Sequence, residues 1–242
     1  MFSNLPIPVI FGHRGASAHA PENTLAAFEL AREQGADAVE LDVKLSADGI
    51  PVVIHDHTVG RTTNGSGTVA DLELATLQKL DAGNGQRIPT LAEVFAAVGQ
   101  VLYINVELTN YTTKNDDLVE KVVDVVKEYK MQERIIFSSF LAKNLHRVAE
   151  LLPNTPRGLL AMPTVLGIFA RSFGFRSNLY QAIHPSIRNL SKRMTEQAHQ
   201  RGQRVNAWTV NTPEQMRKLK DWGVDGIITD DPQLAVKVLR EA

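Results

Sequence analysis

Acidic and apolar residues alternate in residues 38–45, and this spacing gives the first indication of chemistry in the chain. The stretch reads AVELDVKL, which places apolar residues at its odd positions and Glu40, Asp42 and Lys44 on the opposite face. Such strict alternation predicts a β-strand. Because Glu40 and Asp42 lie about 7 Å apart along one face of that strand, their carboxylates can converge. A turn then leads into a second extended run, which we expect to bring His55 close to the two acids.

Two carboxylates beside a histidine suit a hard divalent cation and proton transfer. Glu107 lies near the end of another apolar run, and three carboxylates in a chain without cysteine favour Mg²⁺ or Ca²⁺ over a soft metal. His13 and Arg14 follow the first apolar run of the chain. We interpret His13 and His55 as an acid–base pair, with the cation and Arg14 neutralising the charge of a phosphate. This combination predicts the hydrolysis of a phosphodiester.

Each of these residues also has a purely structural interpretation. Glu40 and Asp42 could form buried ion pairs, and His13 could satisfy a hydrogen bond in the core. Trp208, near the end of a late strand, suits barrel packing as well as it suits a site. Asp230 and its neighbour directly precede a proline, where helix capping accounts for at least one of them. The functional interpretation is favoured because the structural one must hold independently at several strand ends.

The totals are those of an ordinary globular protein, with 242 residues, 43% hydrophobic and 22% charged. A net charge of −1 provides no field to attract nucleic acid or an anionic membrane. The absence of cysteine excludes disulfides, zinc–thiolate sites and thiol nucleophiles. No stretch approaches the about 20 apolar residues that span a membrane, and the N-terminus lacks the pattern of a secretion signal. We therefore expect a cytoplasmic protein that binds no nucleic acid and has no stable membrane insertion. No oligomeric state is favoured.

Strand and helix patterns alternate about eight times along the chain. The predicted strands cover residues 8–14, 38–45, 101–108, 134–138, 158–161, 182–184, 204–210 and 225–229. Residues 57–90 are rich in glycine and break this alternation, so we interpret them as an insertion after the second strand. No linker divides the rest, which predicts one α/β domain over residues 1–242, a single (β/α)8 TIM barrel. A doubly wound sheet is the alternative, but no glycine-rich phosphate loop follows any strand.

The C-terminal ends of barrel strands meet on one rim, where the acids, both histidines and Trp208 would come together. A second feature is the apolar stretch 159–180, which contains few charges. We interpret its residues 164–173 as a helix and expect this helix to pack on the barrel. The alternative is a segment that lies on a membrane surface and gives the protein access to lysophospholipids.

Several motifs, in the same order along nearly the whole chain, resemble those of the glycerophosphodiester phosphodiesterase family. The matching motifs are His13-Arg-Gly-Ala-Ser17, Pro21-Glu-Asn-Thr24, Glu40-Leu-Asp-Val43, Asp48-Gly49, Val52-Val-Ile-His-Asp56, Trp208-Thr-Val-Asn211 and Gly223-Val-Asp-Gly-Ile-Ile-Thr-Asp230. The motifs of the first half are highly specific, and those of the second half are supportive. The resemblance implies a (β/α)8 barrel with an insertion after the second strand.

The resemblance also implies a role for each strand-end residue already singled out. The implied site consists of the metal ligands Glu40, Asp42 and Glu107, the catalytic pair His13 and His55, and the substrate-binding residues Arg14 and Trp208. One divalent cation would be the cofactor. The implied reaction converts a small-molecule glycerophosphodiester to glycerol 3-phosphate and an alcohol such as choline or ethanolamine. Either water attacks the phosphorus directly, or a glycerol hydroxyl attacks first and gives a cyclic phosphate.

One position departs from the family pattern. The family commonly has a lysine two residues after the third-strand acid, whereas this chain has Thr109, which brings no charge. Lys44 shares a face with Glu40 and Asp42 and is a candidate replacement. The missing lysine leaves a non-catalytic barrel that binds phosphodiesters as an alternative. The apolar stretch leaves a lysophospholipase D-type enzyme, acting on lipid substrates, as another.

Overall fold

A ring of parallel strands forms the centre of the computed structural model, which describes residues 4–113, 115–162 and 164–241. Within these residues the strands are β1 (Val9–His13), β2 (Ala38–Leu45), β3 (Pro51–Val53), β4 (Tyr103–Leu108), β5 (Ile135–Ser139), β6 (Arg157–Ala161), β7 (Ala182–Pro185), β8 (Arg204–Ala207) and β9 (Gly226–Thr229). Parallel pairing follows the order β1-β9-β8-β7-β6-β5-β4-β2, and β1 pairs with β2 to close the ring. The predicted (β/α)8 barrel is confirmed.

The helices cover the outside of this ring. In the described residues they are α1 (Leu25–Glu33), α2 (Leu74–Leu77), α3 (Leu91–Val98), α4 (Leu118–Glu128), α5 (Ala142–Leu151), α6 (Ile168–Ser172), α7 (Lys192–Gln200), α8 (Pro213–Asp221) and α9 (Pro232–Arg240). Local signals set where they begin. The Thr24 hydroxyl accepts a hydrogen bond from the first turn of α1, and Thr90 forms a reciprocal capping box with Glu93 at α3.

One edge of β2 pairs with β1 in its first half and with β3 in its second half. The irregular segment of the chain follows β3. The pairing of Val43–Leu45 with β3 is antiparallel. The segment that follows β3 contains a 3₁₀ turn at Val69–Asp71 and the short α2. It closes around an apolar cluster of its own, formed by Val52, Ile54, Val59, Val69, Leu77, Ala82 and Ile88. That residues 1–242 make up one domain stays a prediction.

The two faces of the barrel strands bury different chemistry. On the outer face of β2, Val39, Leu41 and Val43 are fully buried in the main apolar core beneath the helices. Inside the ring, apolar side chains such as Phe11 and Ile136 belong to a second, smaller cluster near the N-terminal ends of the strands. Polar side chains occupy the inside toward the opposite ends. The alternation in residues 38–45 therefore turns the charged face toward the barrel interior instead of toward water.

The apolar stretch after β6 differs from its predicted form. The helix expected over 164–173 is a 3₁₀ turn at Val165–Gly167 followed by the five-residue α6. Val165 and Phe169 are each 77% exposed, and Phe173 is 68% exposed. Packing on the barrel holds for Phe175 and Tyr180 but is wrong for those three residues, because so short a helix offers no continuous buried face. The side chain of Leu166 lies outside the described residues. None of the described helices combines the length and the apolar character that crossing a membrane requires.

Candidate active site

One pocket at the C-terminal rim of the barrel contains every residue that the sequence singled out for the site. Its lining consists of His13, Arg14, Glu40, Asp42, His55, Asn105, Glu107, Phe140, Leu160, Trp208 and Ile228. β1, β2 and β4 carry the charged members to the same rim, and the chain after β3 brings His55 from the side. The roles of these residues stay predictions, but the fold does place all of them around the same pocket.

The three acids are held close together by strand register. Asp42 of β2 lies beside Glu107 of β4, and Glu40 lies two residues earlier in β2, beside Asn105 on the same inner face. Each acid offers an oxygen, and these oxygens all lie within 4.8 Å of one another. Glu40 and Asp42 are only 3% and 2% exposed. This is the oxygen donor set that a hard divalent cation prefers.

The raised pKa values of Glu40 and Glu107 also indicate a site for a cation. Burial, followed by repulsion from Asp42 and Glu107, raises the pKa of Glu40 well above its ordinary value. Burial and Asp42 likewise raise the pKa of Glu107 to about 8. Glu40 and Asp42 are buried and Glu107 is half-buried, and three such carboxylates that repel one another are unfavourable unless positive charge lies among them. The residues present therefore fit a divalent cation.

Further side chains orient these acids from outside the cluster. Asn23 donates a hydrogen bond from Nδ2 to Oδ2 of Asp42 at 2.9 Å, and the hydroxyl of Tyr111 donates to Oε1 of Glu107 at 2.7 Å. Such outer contacts fix the direction of metal-ligating groups. Asn23 belongs to one of the sequence motifs but had no predicted role there, and no sequence pattern indicated Tyr111.

His13 is oriented by an acid from the last strand end. Its Nδ1 lies 2.5 Å from Oδ1 of Asp230, and its Nε2 lies 3.9 Å from Oε2 of Glu40. An ionised carboxylate only accepts hydrogen bonds, so Nδ1 carries the proton and Nε2 faces the acids. Burial raises the pKa of Asp230, but the hydrogen bonds from His13 and Asn211 outweigh it and lower the pKa. Helix capping falls to Asp231 alone, which accepts from the backbone of α9.

His55 has the same arrangement on the other side of the pocket. Its Nδ1 lies 2.6 Å from Oδ1 of Asp56, the next residue in the chain. By the same reasoning Nδ1 donates to this carboxylate, which leaves Nε2 for proton exchange. Both histidines that the sequence singled out therefore have one ring nitrogen fixed by an aspartate.

Arg14 brings positive charge to the acids. Its Nε lies 3.2 Å from Oδ2 of Asp42, and its NH1 donates to Oε1 of Glu22 at 2.9 Å. Burial lowers the pKa of Arg14, but the attraction of Asp42, Glu40 and Glu22 outweighs it and raises the pKa. The guanidinium is therefore charged and partly satisfied by acids before any ligand binds.

The opposite wall of the pocket is apolar and aromatic. The rings of Phe140 and Trp208 meet edge to face, with centroids 5.8 Å apart, and Leu160 lies in the same lining. Nε1 of Trp208 donates a hydrogen bond to the carbonyl oxygen of His184 at 2.7 Å. Trp208 thus both packs on the barrel and faces the pocket. A ligand with one anionic part and one less polar part would match these two walls.

The remaining histidines at strand ends and on helices lie outside this pocket. His184 is fully buried inside the barrel, where its Nε2 accepts a hydrogen bond from Nδ2 of Asn206 at 3.1 Å. His146 contacts the hydroxyl of Tyr180, and His199 pairs with Asp225. They have structural contacts and are not in the pocket lining.

Comparisons with known proteins point in one direction. The sequence profile of the glycerophosphoryl diester phosphodiesterase family matches residues 13–234. A glycerophosphodiester phosphodiesterase from Caldanaerobacter subterraneus subsp. tengcongensis is 40% identical over 241 residues, covering 96% of this chain and 98% of the relative. One from Bacillus altitudinis is 35% identical over 96% of this chain and 98% of its own. The structure of an Oleispira antarctica phosphodiesterase in complex with the product sn-glycerol-3-phosphate superposes with a TM-score of 0.87, at 32% identity and 98% coverage of both chains.

Proposed function

The chain belongs to the glycerophosphoryl diester phosphodiesterase family, and from this we propose that it hydrolyses glycerophosphodiesters to glycerol 3-phosphate and an alcohol. The observation that supports this most is the single pocket in which three clustered acids face two aspartate-bound histidines. This arrangement supplies the charge neutralisation and the two proton transfers that cleavage of a phosphodiester requires.

Glu40, Asp42 and Glu107 would hold one divalent cation, Mg²⁺ or Ca²⁺, through their carboxylate oxygens. When bound, such a cation neutralises charge on the phosphate and makes an oxygen nucleophile more acidic. Arg14 adds a planar donor that can hydrogen-bond a phosphate oxygen. The pocket thus gathers positive charge where the substrate is anionic.

His13 and His55 divide the proton transfers between them. The Nε2 atom of one takes a proton from the attacking hydroxyl, and the Nε2 atom of the other gives a proton to the leaving alkoxide. Asp230 and Asp56 keep the Nδ1 atoms protonated, so each ring presents the same nitrogen to the pocket throughout. The attacking hydroxyl belongs either to water or to the glycerol part of the substrate. Trapping a cyclic phosphate during turnover would identify the second route.

Trp208 and Phe140 form the wall that we assign to the less polar part of the substrate. Their apolar faces would pack against the carbon skeleton of glycerol, opposite the charged wall that takes the phosphate. This division orients the diester with its phosphorus between the two histidines.

The test is release of glycerol 3-phosphate from glycerophosphocholine, measured with Mg²⁺, Ca²⁺ or Mn²⁺ and again with a chelator. We expect turnover that needs the cation and is abolished by His13→Ala. His146→Ala is the matched control, since that histidine lies on α5 outside the pocket, and it should retain the activity. No release with any of the three metals contradicts the proposal, and tight binding of the diester without release favours a non-catalytic barrel.

A second candidate substrate class is favoured by the exposed apolar side chains after β6. Val165, Phe169 and Phe173 are exposed and follow the C-terminal end of β6, whose residue Leu160 lines the pocket. An amphiphilic diester such as a lysophospholipid could contact them with its acyl chain.

This second candidate predicts a difference between substrates. Phe169→Ser should lower activity on lysophosphatidylcholine and leave activity on glycerophosphocholine unchanged. Val101→Ser is the control, because Val101 is 57% exposed but precedes β4, at the opposite end of the barrel. If both variants match the parent on both substrates, and the protein does not sediment with liposomes, lysophospholipids are excluded as the substrate class.

A further inference from the structure

Arg61 connects two parts of the pocket that come from separate segments of the chain. Its side chain lies between Glu22, in the loop after β1, and Asp56, which follows β3. NH1 and NH2 donate to the two oxygens of Glu22, each at 2.8 Å. Nε and NH2 donate to the two oxygens of Asp56 at 2.6 and 3.1 Å. The guanidinium is thus bidentate toward both carboxylates, the geometry for which its planar fork is suited.

Both carboxylates reach a residue of the proposed site. Oε1 of Glu22, which accepts from Arg61, also accepts from NH1 of Arg14 at 2.9 Å. Oδ1 of Asp56 accepts from Nδ1 of His55 at 2.6 Å. An uninterrupted series of hydrogen bonds therefore runs from Arg14 on one side of the pocket to His55 on the other, with Arg61 at its centre.

His55 needs such support more than the other site residues do. His13, the three acids and Trp208 lie on or next to strands of the ring, whose ladders fix their backbone. The pairing of β3 with β2 ends at Val53, and the last backbone hydrogen bond toward β2 comes from the amide of Ile54. Beyond that point the ring of His55, 41% exposed, is oriented by Asp56. Asp56 is in turn held by Arg61.

We propose that Arg61 is a positioning residue for the reaction, which fixes the imidazole of His55 and the guanidinium of Arg14 relative to each other without touching substrate. This inference rests on the proposed function. Arg61 is absent from the pocket lining and acts only through Glu22 and Asp56. Displacement of a reacting group by about 1 Å can lower a rate about a hundredfold. Loss of the hydrogen bonds from Arg61 should therefore lower kcat strongly and change the melting temperature little.

The test compares Arg61→Ala with Arg147→Ala. Arg147 also bridges two carboxylates, Glu120 and Glu150, at 2.7 Å each, and it is 44% exposed against 46% for Arg61. It lies on the outer helices, so it matches the ion pairing but not the location. We expect kcat for glycerophosphocholine to fall about tenfold to a hundredfold in Arg61→Ala and to stay unchanged in Arg147→Ala, with similar melting temperatures. A kcat of Arg61→Ala within twofold of the parent overturns the proposal.

A second measurement does not depend on turnover. In ¹⁵N-histidine NMR, the Nδ1–H signal of His55 should shift or broaden in Arg61→Ala and remain in Arg147→Ala. If this signal is the same in Arg61→Ala as in the parent, Arg61 does not hold the ring and the inference is wrong. A parent protein that keeps this contact but shows no turnover contradicts the proposed function instead, so the two failures are distinguishable.

Asp56→Asn adds a check on the route of the effect. If Arg61 acts through Asp56, the loss in kcat from Arg61→Ala and Asp56→Asn together should be close to the larger single loss. Fully additive losses would mean that Arg61 acts by another route, and they overturn the proposed connection.

Discussion

The positively charged side chain of Lys44 contacts Thr109, an uncharged residue. Its Nζ donates hydrogen bonds to the carbonyl oxygen of Thr109 at 2.6 Å and to the hydroxyl of that residue at 3.1 Å. Thr109 stands two residues after Glu107, where the family commonly has a lysine. Burial lowers the pKa of Lys44, whereas Asp42 and Glu107 oppose that change. The ammonium group of Lys44, on the neighbouring strand β2, therefore lies against Thr109, the position where the family commonly has a lysine.

Lys44→Met tests whether this ammonium contributes to phosphate binding. The variant keeps the apolar stem of the side chain and removes the charge. We expect KM for glycerophosphocholine to rise severalfold, because Lys44 is not in the pocket lining and would attract the phosphate through its charge instead of through a direct hydrogen bond. Thr109→Val, which removes the hydroxyl but leaves the charge, is the matched control and should change KM little. Kinetics at saturating Mg²⁺ make the comparison, and an unchanged KM in Lys44→Met ends the idea.

Residue types and strand positions were sufficient to predict which charged side chains gather in the pocket, but not the apolar wall around Phe140 or the residues that support the charged ones. Asp42 and Glu107 could be placed together because neighbouring parallel strands bring their ends to one rim. Tyr111 reaches Glu107 from a loop, and Arg61 reaches Glu22 across 39 positions of sequence. Neither contact has a periodic signal, since each depends on the path of an irregular segment.

β2 shows how far a sequence pattern specifies an element. All eight of its residues are buried although only alternate ones are strongly apolar, because helices cover one face and the ring encloses the other. Alternation predicted the two faces, but the burial of the charged face follows from closure of the ring. The packing predicted for the helix over 164–173 is wrong for the opposite reason. A short helix is marginal without a packed face, and α6 leaves Phe169 exposed.

Packing between β6 and β7 gives an element-level prediction. A Cβ atom added at Gly158 would lie 2.4 Å from Nε2 of His184, a fully buried ring. Gly158→Ala should therefore destabilise the protein by about 1–3 kcal/mol, the usual effect of overpacking, and lower its melting temperature by several degrees. Gly60→Ala is the control, because its added Cβ would come no closer than 3.6 Å to its nearest neighbour. Equal melting temperatures for the two variants would show that the barrel interior adjusts at this position.

The same histidine makes the stability of the whole molecule depend on pH. Burial lowers the pKa of His184 from its ordinary 6.5 to about 3. Between these values the unfolded chain binds a proton that the folded protein does not, so stability is lost as the pH falls through this window. Each pH unit removes up to about 1.4 kcal/mol.

His184→Gln isolates this contribution, because glutamine can keep a polar contact to Asn206 and does not titrate. Melting temperatures measured from pH 7.5 to 4.5 should fall less steeply in the variant than in the parent. His199→Gln, which changes a 42% exposed histidine paired with Asp225, serves as the comparison. Parallel profiles for the parent and His184→Gln would contradict a neutral, buried His184.

The three acids connect the proposed chemistry to the stability of the whole molecule. Glu40, Asp42 and Glu107 lie close together and repel one another, so without a cation they weaken the fold that holds them. A cation that binds only the folded protein stabilises it in proportion to the logarithm of its concentration over its dissociation constant. Mg²⁺ or Ca²⁺ should therefore raise the melting temperature of chelator-treated protein.

Glu107→Gln tests both effects, because the variant removes a carboxyl group whose pKa the fold raises, which opposes folding at neutral pH, and it also removes one of the proposed ligands. We expect its metal-free form to melt a few degrees above the metal-free parent, and added Mg²⁺ or Ca²⁺ to produce little further increase. Glu128→Gln, at the end of α4 and away from the pocket, should leave both the metal-free melting temperature and the metal-induced increase unchanged. Scanning calorimetry across a metal titration makes the measurement without any substrate. If Glu107→Gln melts below the parent in chelator and still gains the full increase with metal, these acids stabilise the barrel as ordinary polar side chains and the cation binds elsewhere.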